Sequence, residues 1–244
     1  MEQTQLIEYF ENSEVNQKLL KLYESKWDIV LKVRDTATNN KELVFHSSCI
    51  PHNYKEMKQK ILVVGQETNG WEFNESVKDS MLFTLSFLYS SQHNDKLSFT
   101  FPFEFCKSIN NYNYDENYIK TYFAWVSLRK FAYDENHEKP LNKEAQSIID
   151  NEFNILEEEI RIINPDIVLF LTGPTDKYEE LLQNELKEVK YNEIKNSNYT
   201  KREFARLEHK SLPENSFRIY NTSYLARKKL ENEYLQELVK ECRL

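Results

Sequence analysis

Two short apolar runs, each followed by a glycine, constrain the fold more than any other feature of this sequence. Residues 61–64 read Ile-Leu-Val-Val before Gly65, and residues 167–172 read Ile-Val-Leu-Phe-Leu-Thr before Gly173. Such short, apolar runs are typical of strands buried on both faces, as in parallel sheets. Because the chain has only three glycines, we expect each where the backbone turns tightly or approaches a ligand.

Segments with helical periodicity separate these runs. Apolar residues recur at spacings of three and four in several segments, which predict one or two N-terminal helices within about residues 1–30 and further helices at 77–90, 102–109, 142–163 and 225–244. Two more strands are predicted at 121–126 and 217–220, and a helical stretch is predicted at 201–209 within a loop-rich segment. The alternation predicts an α/β fold: a three-layer α/β/α sandwich with a central, mostly parallel sheet of about four strands.

Composition and charge narrow the classes of partner. The chain is 40% hydrophobic and 30% charged, with a net charge of −8. This balance is typical of a globular protein and argues against a general polyanion binder, because nonspecific affinity for nucleic acid depends on Lys and Arg. A local basic face remains open, and two clusters could form it: Lys120, Arg129 and Lys130, or Arg218, Arg227, Lys228 and Lys229.

Other features point away from a membrane, a metal or a cofactor. No apolar stretch approaches about 20 residues, and the N-terminus has no signal-peptide pattern, so we expect a cytoplasmic protein. Cys49, Cys106 and Cys242 match no zinc or redox spacing and are interpreted as ordinary thiols. We therefore expect neither a metal nor a cofactor.

Polar side chains follow each predicted strand. Gln66, Glu67 and Asn69 follow the first, Ser127 ends the second, and Asn221 follows the fourth with Ser223 just beyond. In open α/β sheets the ligand crevice lies outside the carboxyl ends of the strands, so these residues are the candidate site. The alternative is that Asn221 and Ser223 cap the final helix.

The motifs resemble those of the uracil-DNA glycosylase superfamily. Residues 61–67, Ile-Leu-Val-Val-Gly-Gln-Glu, are similar to its first motif, in which Gly-Gln-Asp-Pro-Tyr follows a buried strand. Residues 157–173 are similar to its helix, its Asn/Lys-Pro corner and the strand that ends in Gly. Residues 122–130 and 217–223 occupy the places of its Asn-containing loop and its His-Pro-Ser motif. The resemblance covers about residues 55–230 and implies a single domain over residues 1–244, with an N-terminal helical extension of about residues 1–50.

The resemblance implies roles for several residues of the candidate site. Glu67 stands where the family keeps its water-orienting carboxylate, and Asn221 would stabilise the departing base more weakly than a histidine. Trp71 or Phe73 would stack on the base. The remaining binding positions are Gly65, Gln66, Asn69, Ser127, Ser223 and Arg227.

Departures from the family pattern leave three functional hypotheses. Ser127 replaces the base-reading Asn, and Asn221-Thr222-Ser223 replaces His-Pro-Ser. The first hypothesis is a DNA glycosylase that hydrolyses the N-glycosidic bond of a modified or unusual base in DNA. The second is a catalytically silent module that binds nucleic acid, a nucleobase or a nucleotide. The third is a small nucleotide or metabolite bound at the Gly65 loop without DNA, and the missing phosphate-binding glycine pattern argues against it.

Overall fold

The computed structural model describes residues 3–37, 43–67, 73–133, 141–195 and 197–242. Its strands are β1 Leu43–Phe45, β2 Ile61–Glu67, β3 Ala124–Arg129, β4 Phe131–Tyr133, β5 Ile167–Phe170, β6 Lys190–Glu193, β7 Ala205–Glu208 and β8 Asn215–Arg218. Its α-helices are α1 Gln3–Asn12, α2 Glu14–Glu24, α3 Trp27–Ala37, α4 His52–Glu56, α5 Val77–Tyr89, α6 Leu97–Ile109, α7 Lys143–Glu152, α8 Leu156–Ile163, α9 Asp176–Glu185, α10 Thr222–Lys228 and α11 Glu231–Cys242. A 3-10 helix spans Glu116–Thr121.

The central sheet has six strands in the order β3-β2-β5-β8-β7-β6. The first four run parallel, whereas β7 pairs antiparallel with β8, and β6 antiparallel with β7. A separate two-stranded sheet pairs β1 with β4. The fold is therefore the predicted three-layer α/β/α sandwich, with two antiparallel strands added to the four parallel ones.

Side chains of β2 alternate between the two faces of the sheet. Leu62 and Val64 belong to a core shared with α1–α3, α5 and α7–α9. Ile61 and Val63 belong to a second core with α6, α10 and α11. The N-terminal helices thus contribute to one outer layer: Phe10 and Tyr23 are fully buried there.

Several predicted boundaries were wrong. The second strand begins at Ala124 rather than residue 121, because a 3-10 helix extends as far as Thr121. Asp115 caps this helix by accepting a hydrogen bond from Asn117 N. Segment 142–163 forms two helices, α7 and α8, and α6 begins at Leu97, ahead of Pro102. Segment 201–209 contains β7 rather than a helix, since it pairs with β6 and β8. The terminal helix is broken at Lys229, where φ is 59°.

Candidate functional site

The four parallel strands reverse their order at β2, so the carboxyl ends of β2 and β5 form a topological switch point. In the sheet, β3 lies on one side of β2, and β5, the next parallel strand along the chain, lies on the other side. In doubly wound sheets such a switch point is the usual ligand site. We call the residues that follow these strand ends the carboxyl-end rim: Gln66, Glu67, Arg129, Thr172, Gly173, Lys177, Tyr220 and Asn221.

Glu67 ends β2 and is anchored through one of its two carboxylate oxygens. Its Oε1 accepts hydrogen bonds from Lys177 Nζ at 2.6 Å, Tyr178 OH at 2.7 Å and Arg129 Nη1 at 3.1 Å. Arg129 is positioned by the parallel register, which pairs it with Glu67 across β2 and β3. No described residue donates to Oε2, so the carboxylate is fixed on one side only.

The surroundings of Glu67 keep it ionised. Burial of the carboxyl acts to raise its pKa, but the hydrogen bonds from Lys177 and Tyr178 and the charges of Lys177 and Arg129 outweigh burial. The pKa of Glu67 is therefore held below its ordinary value. Two cations, Lys177 and Arg129, thus contact this one carboxylate.

Gln66 and Gly65 fill much of the space beside Glu67. Gln66 Nε2 donates to the carbonyl of Thr172 at 2.8 Å, which ties the end of β2 to the end of β5. A Cβ on Gly65 would lie 2.3 Å from Trp125 Cζ2, so the indole occupies the place of a side chain. Both residues therefore support the rim through packing and backbone contacts.

Ser127 lies within β3, where it pairs with Gly65, rather than in a loop after the strand. The prediction that it ends the second strand was wrong, because that strand begins and ends three residues later than expected. Its side chain is fully buried, and its Oγ has no hydrogen-bond partner among the described residues. The strand end that reaches the rim is Arg129.

Asn221 caps α10. Its Oδ1 accepts a hydrogen bond from Tyr224 N at 2.8 Å, which satisfies a free amide of the first helical turn. The cap predicted for Asn221 is thus confirmed, whereas Ser223 is exposed within α10. Gly173, with φ of 69°, lies beside Asn221: a Cβ built on it would be 3.8 Å from Asn221 N. The cap therefore borders the end of β5.

Of the two aromatic candidates, Phe73 lies within the described residues and Trp71 lies outside them. Phe73 stacks on Trp27 of α3 at 5.9 Å between centroids, and Arg34 lies 5.3 Å from its centroid. The ring of Phe73 therefore packs against the N-terminal helix α3. Asn69, Gly70 and Trp71 fall in the segment 68–72, outside the described residues.

The first predicted basic face is wrong. Lys120, Arg129 and Lys130 are at most 8% exposed, because aromatic rings, carbonyl oxygens and carboxylates enclose their charged ends. Burial lowers the pKa of Lys120 to about 8. In the second cluster Arg218 is also buried, while Arg227, Lys228 and Lys229 are exposed. Only the second cluster therefore supplies an accessible basic surface.

Sequence reasoning missed Lys177 and Tyr178. They open α9, which begins shortly after β5 at the switch point. Residues in this position reach the crevice in doubly wound folds, so the only sequence signal was their place after Gly173-Pro174. Their contact with a carboxylate 110 residues earlier required the fold.

Comparisons with known proteins leave the site to be interpreted from its own geometry. No protein-family model matches the chain, and neither a curated protein nor a solved structure matches it. Across the described ranges, no group of three or more His, Cys, Asp or Glu side chains is arranged to hold a metal ion. Within the same ranges, no helix has the length and apolar character needed to cross a membrane.

Proposed function

We propose that this chain binds nucleic acid or a nucleotide at the carboxyl-end rim, where Lys177 contacts phosphate. The observation that carries the proposal is the place of Lys177 at the switch point, where its ammonium contacts Glu67 Oε1 and still reaches solvent. The side chain of Lys177 is 47% exposed and reaches solvent, whereas the side chain of Arg129 is 8% exposed and contacts Glu67 from within the protein. An anion that approaches the switch point would therefore meet Lys177 first.

The net charge of the whole protein makes this local arrangement necessary. At −8 the chain as a whole repels a polyanion. Binding must therefore come from a restricted surface, and the exposed residues Arg227, Lys228 and Lys229 at the end of α10 offer a second basic patch. Salt-dependent affinity with a small number of phosphate contacts is the expected behaviour.

Charge substitution tests the proposal. We expect Lys177→Gln to weaken binding of a fluorescent oligonucleotide and to lower the slope of log affinity against log salt by about 1. Joint replacement of Arg227, Lys228 and Lys229 by Glu should weaken binding more. Fluorescence anisotropy at several salt concentrations measures both effects.

A matched lysine provides the control. Lys18 on α2 also forms an ion pair at 2.6 Å, with Glu14, and is exposed. Lys18→Gln should leave affinity and salt slope unchanged. Binding that ignores salt and all of these substitutions would reject the proposal.

A second candidate function is hydrolysis of the N-glycosidic bond of an unusual base in DNA. The specific observation in its favour is the one-sided anchoring of Glu67, which stays ionised while no described residue donates to Oε2. That oxygen could orient a water molecule toward C1′ of the sugar. The C1′–N bond would break and the base would leave with the bonding electron pair, the water oxygen would bond to C1′, and the proton lost by that water would end on the departing base.

The balance of charge favours binding over hydrolysis. An oxocarbenium-like sugar is stabilised by a net negative neighbour, whereas Glu67 sits beside two cations. Incubation of the protein with base-modified DNA, followed by detection of abasic sites, separates the two functions. Abasic products that disappear in Glu67→Gln would establish hydrolysis, and products that persist in that variant would exclude Glu67 as the catalytic carboxylate.

A further inference from the structure

A column of stacked side chains borders the rim beyond β8. The rings of Tyr220 and Tyr224 stack with centroids 4.1 Å apart and planes at 24°. The guanidinium of Arg227 lies 5.6 Å from the Tyr224 centroid. Both tyrosines are partly exposed and Arg227 is exposed, so the column reaches the surface.

Local hydrogen bonds hold this column in place. The Asn221 cap receives Tyr224 N and fixes the start of α10 between the two tyrosines. On the other side lies Gly173, whose φ of 69° favours glycine: a Cβ there would be in ordinary contact, 3.9 Å from Tyr220 Cα. The column is therefore a fixed neighbour of the switch point.

Two further exposed basic residues, Lys201 and Arg202, are held near the end of β5. Arg202 Nη2 donates to the carbonyl of Pro174 at 3.3 Å, and the buried Arg218 donates to the carbonyls of Lys201 and Arg202. These bonds pin the exposed residues Lys201 and Arg202 beside the end of β5. The nearby Glu203 accepts hydrogen bonds from Thr200 and is also an acidic neighbour of Tyr220.

We propose that the Tyr220–Tyr224 column is a base-stacking platform for single-stranded nucleic acid, in which a base takes the place of the exposed Arg227 guanidinium on Tyr224 and phosphates contact Arg227 and Arg202. The inference rests on the proposed function and names its ligand class. Aromatic rings between cations bind single strands because each base offers a face for stacking while the cations follow the backbone. A duplex keeps its bases paired and stacked, and a mononucleotide spans too little to use both the platform and Lys177.

The test compares three ligands by fluorescence anisotropy. The probe is a labelled oligothymidylate of about 12 nucleotides, within the usual range of single-strand site sizes. The competitors are its duplex with oligoadenylate and thymidine monophosphate. We expect the single strand to bind more tightly than either competitor.

Variants of the platform isolate stacking from charge. Tyr224→Ala should weaken single-strand binding by roughly fivefold to a hundredfold and leave the salt slope unchanged. Tyr224→Phe keeps the ring and should bind like the parent. Tyr112→Ala, at an exposed tyrosine after α6, is the matched control and should also bind like the parent.

Circular dichroism and thermal unfolding show whether each variant is folded. Tyr224→Leu keeps an apolar side chain against Tyr220 and should lose affinity like the Ala variant, so it serves if Tyr224→Ala unfolds. Equal affinity for duplex and single strand, or full affinity in a folded Tyr224→Leu variant, would overturn the platform. If Lys177→Gln still weakened binding in that case, the proposed binding at the carboxyl-end rim would be kept and only the platform would be rejected. No binding of any of the three ligands would overturn both.

Discussion

Two carboxylate networks of nearly the same chemistry occupy contrasting places in this molecule. At the rim, Glu67 contacts a lysine, an arginine and a tyrosine. In the interior, Glu159 of α8 contacts Lys130 at 2.7 Å, Ser48 Oγ at 3.4 Å and the hydroxyl of Tyr23. The two networks are adjacent in the sequence: Arg129 contacts Glu67, and the next residue, Lys130, contacts Glu159.

The difference between the networks is access. The side chains of Glu159 and Lys130 are 0% and 3% exposed, whereas Lys177 at the rim is 47% exposed. A ligand can reach the rim without disturbing the core, but it cannot reach Glu159. Similar residue types thus support a structural role inside and a candidate binding role at the sheet edge.

The surroundings of the interior network show how its charges are tolerated. Ser48 N donates to the hydroxyl of Tyr23 at 2.8 Å, so Tyr23 can in turn donate to Glu159. Burial, followed by the charge and hydrogen bond of Glu159, raises the pKa of Tyr23 and keeps it protonated. The network joins α2, α8 and the β3–β4 junction. Its ion pair and hydrogen bonds compensate the buried charges of Lys130 and Glu159.

The largest expected effect comes from breaking the interior pair. Lys130→Met removes the cation and leaves the buried Glu159 with only the hydroxyls of Tyr23 and Ser48, which should reduce the free energy of unfolding by about 3–5 kcal/mol. Urea denaturation measures this loss. The double variant Lys130→Met/Glu159→Leu removes both charges and should be less destabilised than the single variant. A loss below about 1 kcal/mol in Lys130→Met would show that the interior pair resembles a surface ion pair.

A smaller effect tests whether the rim is packed as tightly as the interior. Gly65→Ala places a Cβ against Trp125 and should cost about 1–3 kcal/mol through overpacking. Trp125→Leu should relieve the clash, so the double variant should be less destabilised than the sum of the single ones. Additive losses in urea denaturation would show that the indole moves aside freely and that the rim is plastic.

The parts of the fold that could be predicted from sequence are those fixed by local patterns. The apolar runs at β2 and β5 end at glycines or corners and were placed within a few residues. The strand β3 was displaced by three residues because Tyr122 and Phe123 look like strand residues but pack in the core ahead of it. That displacement moved Ser127 into the strand and hid the importance of Arg129.

The candidate site was less predictable because its contacts join distant parts of the chain. Glu67 was found as the residue that follows an apolar run, but its partners Lys177 and Tyr178 lie more than 100 residues away. Charge patterns also gave no sign of burial: Lys120 and Lys130 read as surface lysines, yet each has buried partners. Sequence alone shows that a charge exists, and only the fold shows what compensates it.

The smallest expected effect comes from Glu67→Gln, which probes how the rim carboxylate is held. Because the folded protein holds the pKa of Glu67 below its ordinary value, its ionised form contributes stability above about pH 4.3, and this contribution is lost as the pH falls through the folded pKa. The variant should cost about 1 kcal/mol or less at neutral pH, since Lys177 is partly exposed and screened by solvent.

The same comparison at acid pH completes the test of the rim. Between about pH 5 and about pH 3 the difference in unfolding free energy between parent and Glu67→Gln should shrink, because the parent carboxyl becomes protonated. Glu8→Gln, at an exposed position of α1, controls for the loss of one negative charge. A difference that persists unchanged at acid pH would mean that the Gln variant disturbs packing instead of charge. The rim would then depend on packing rather than on charge, in contrast to the Glu159–Lys130 pair of the interior.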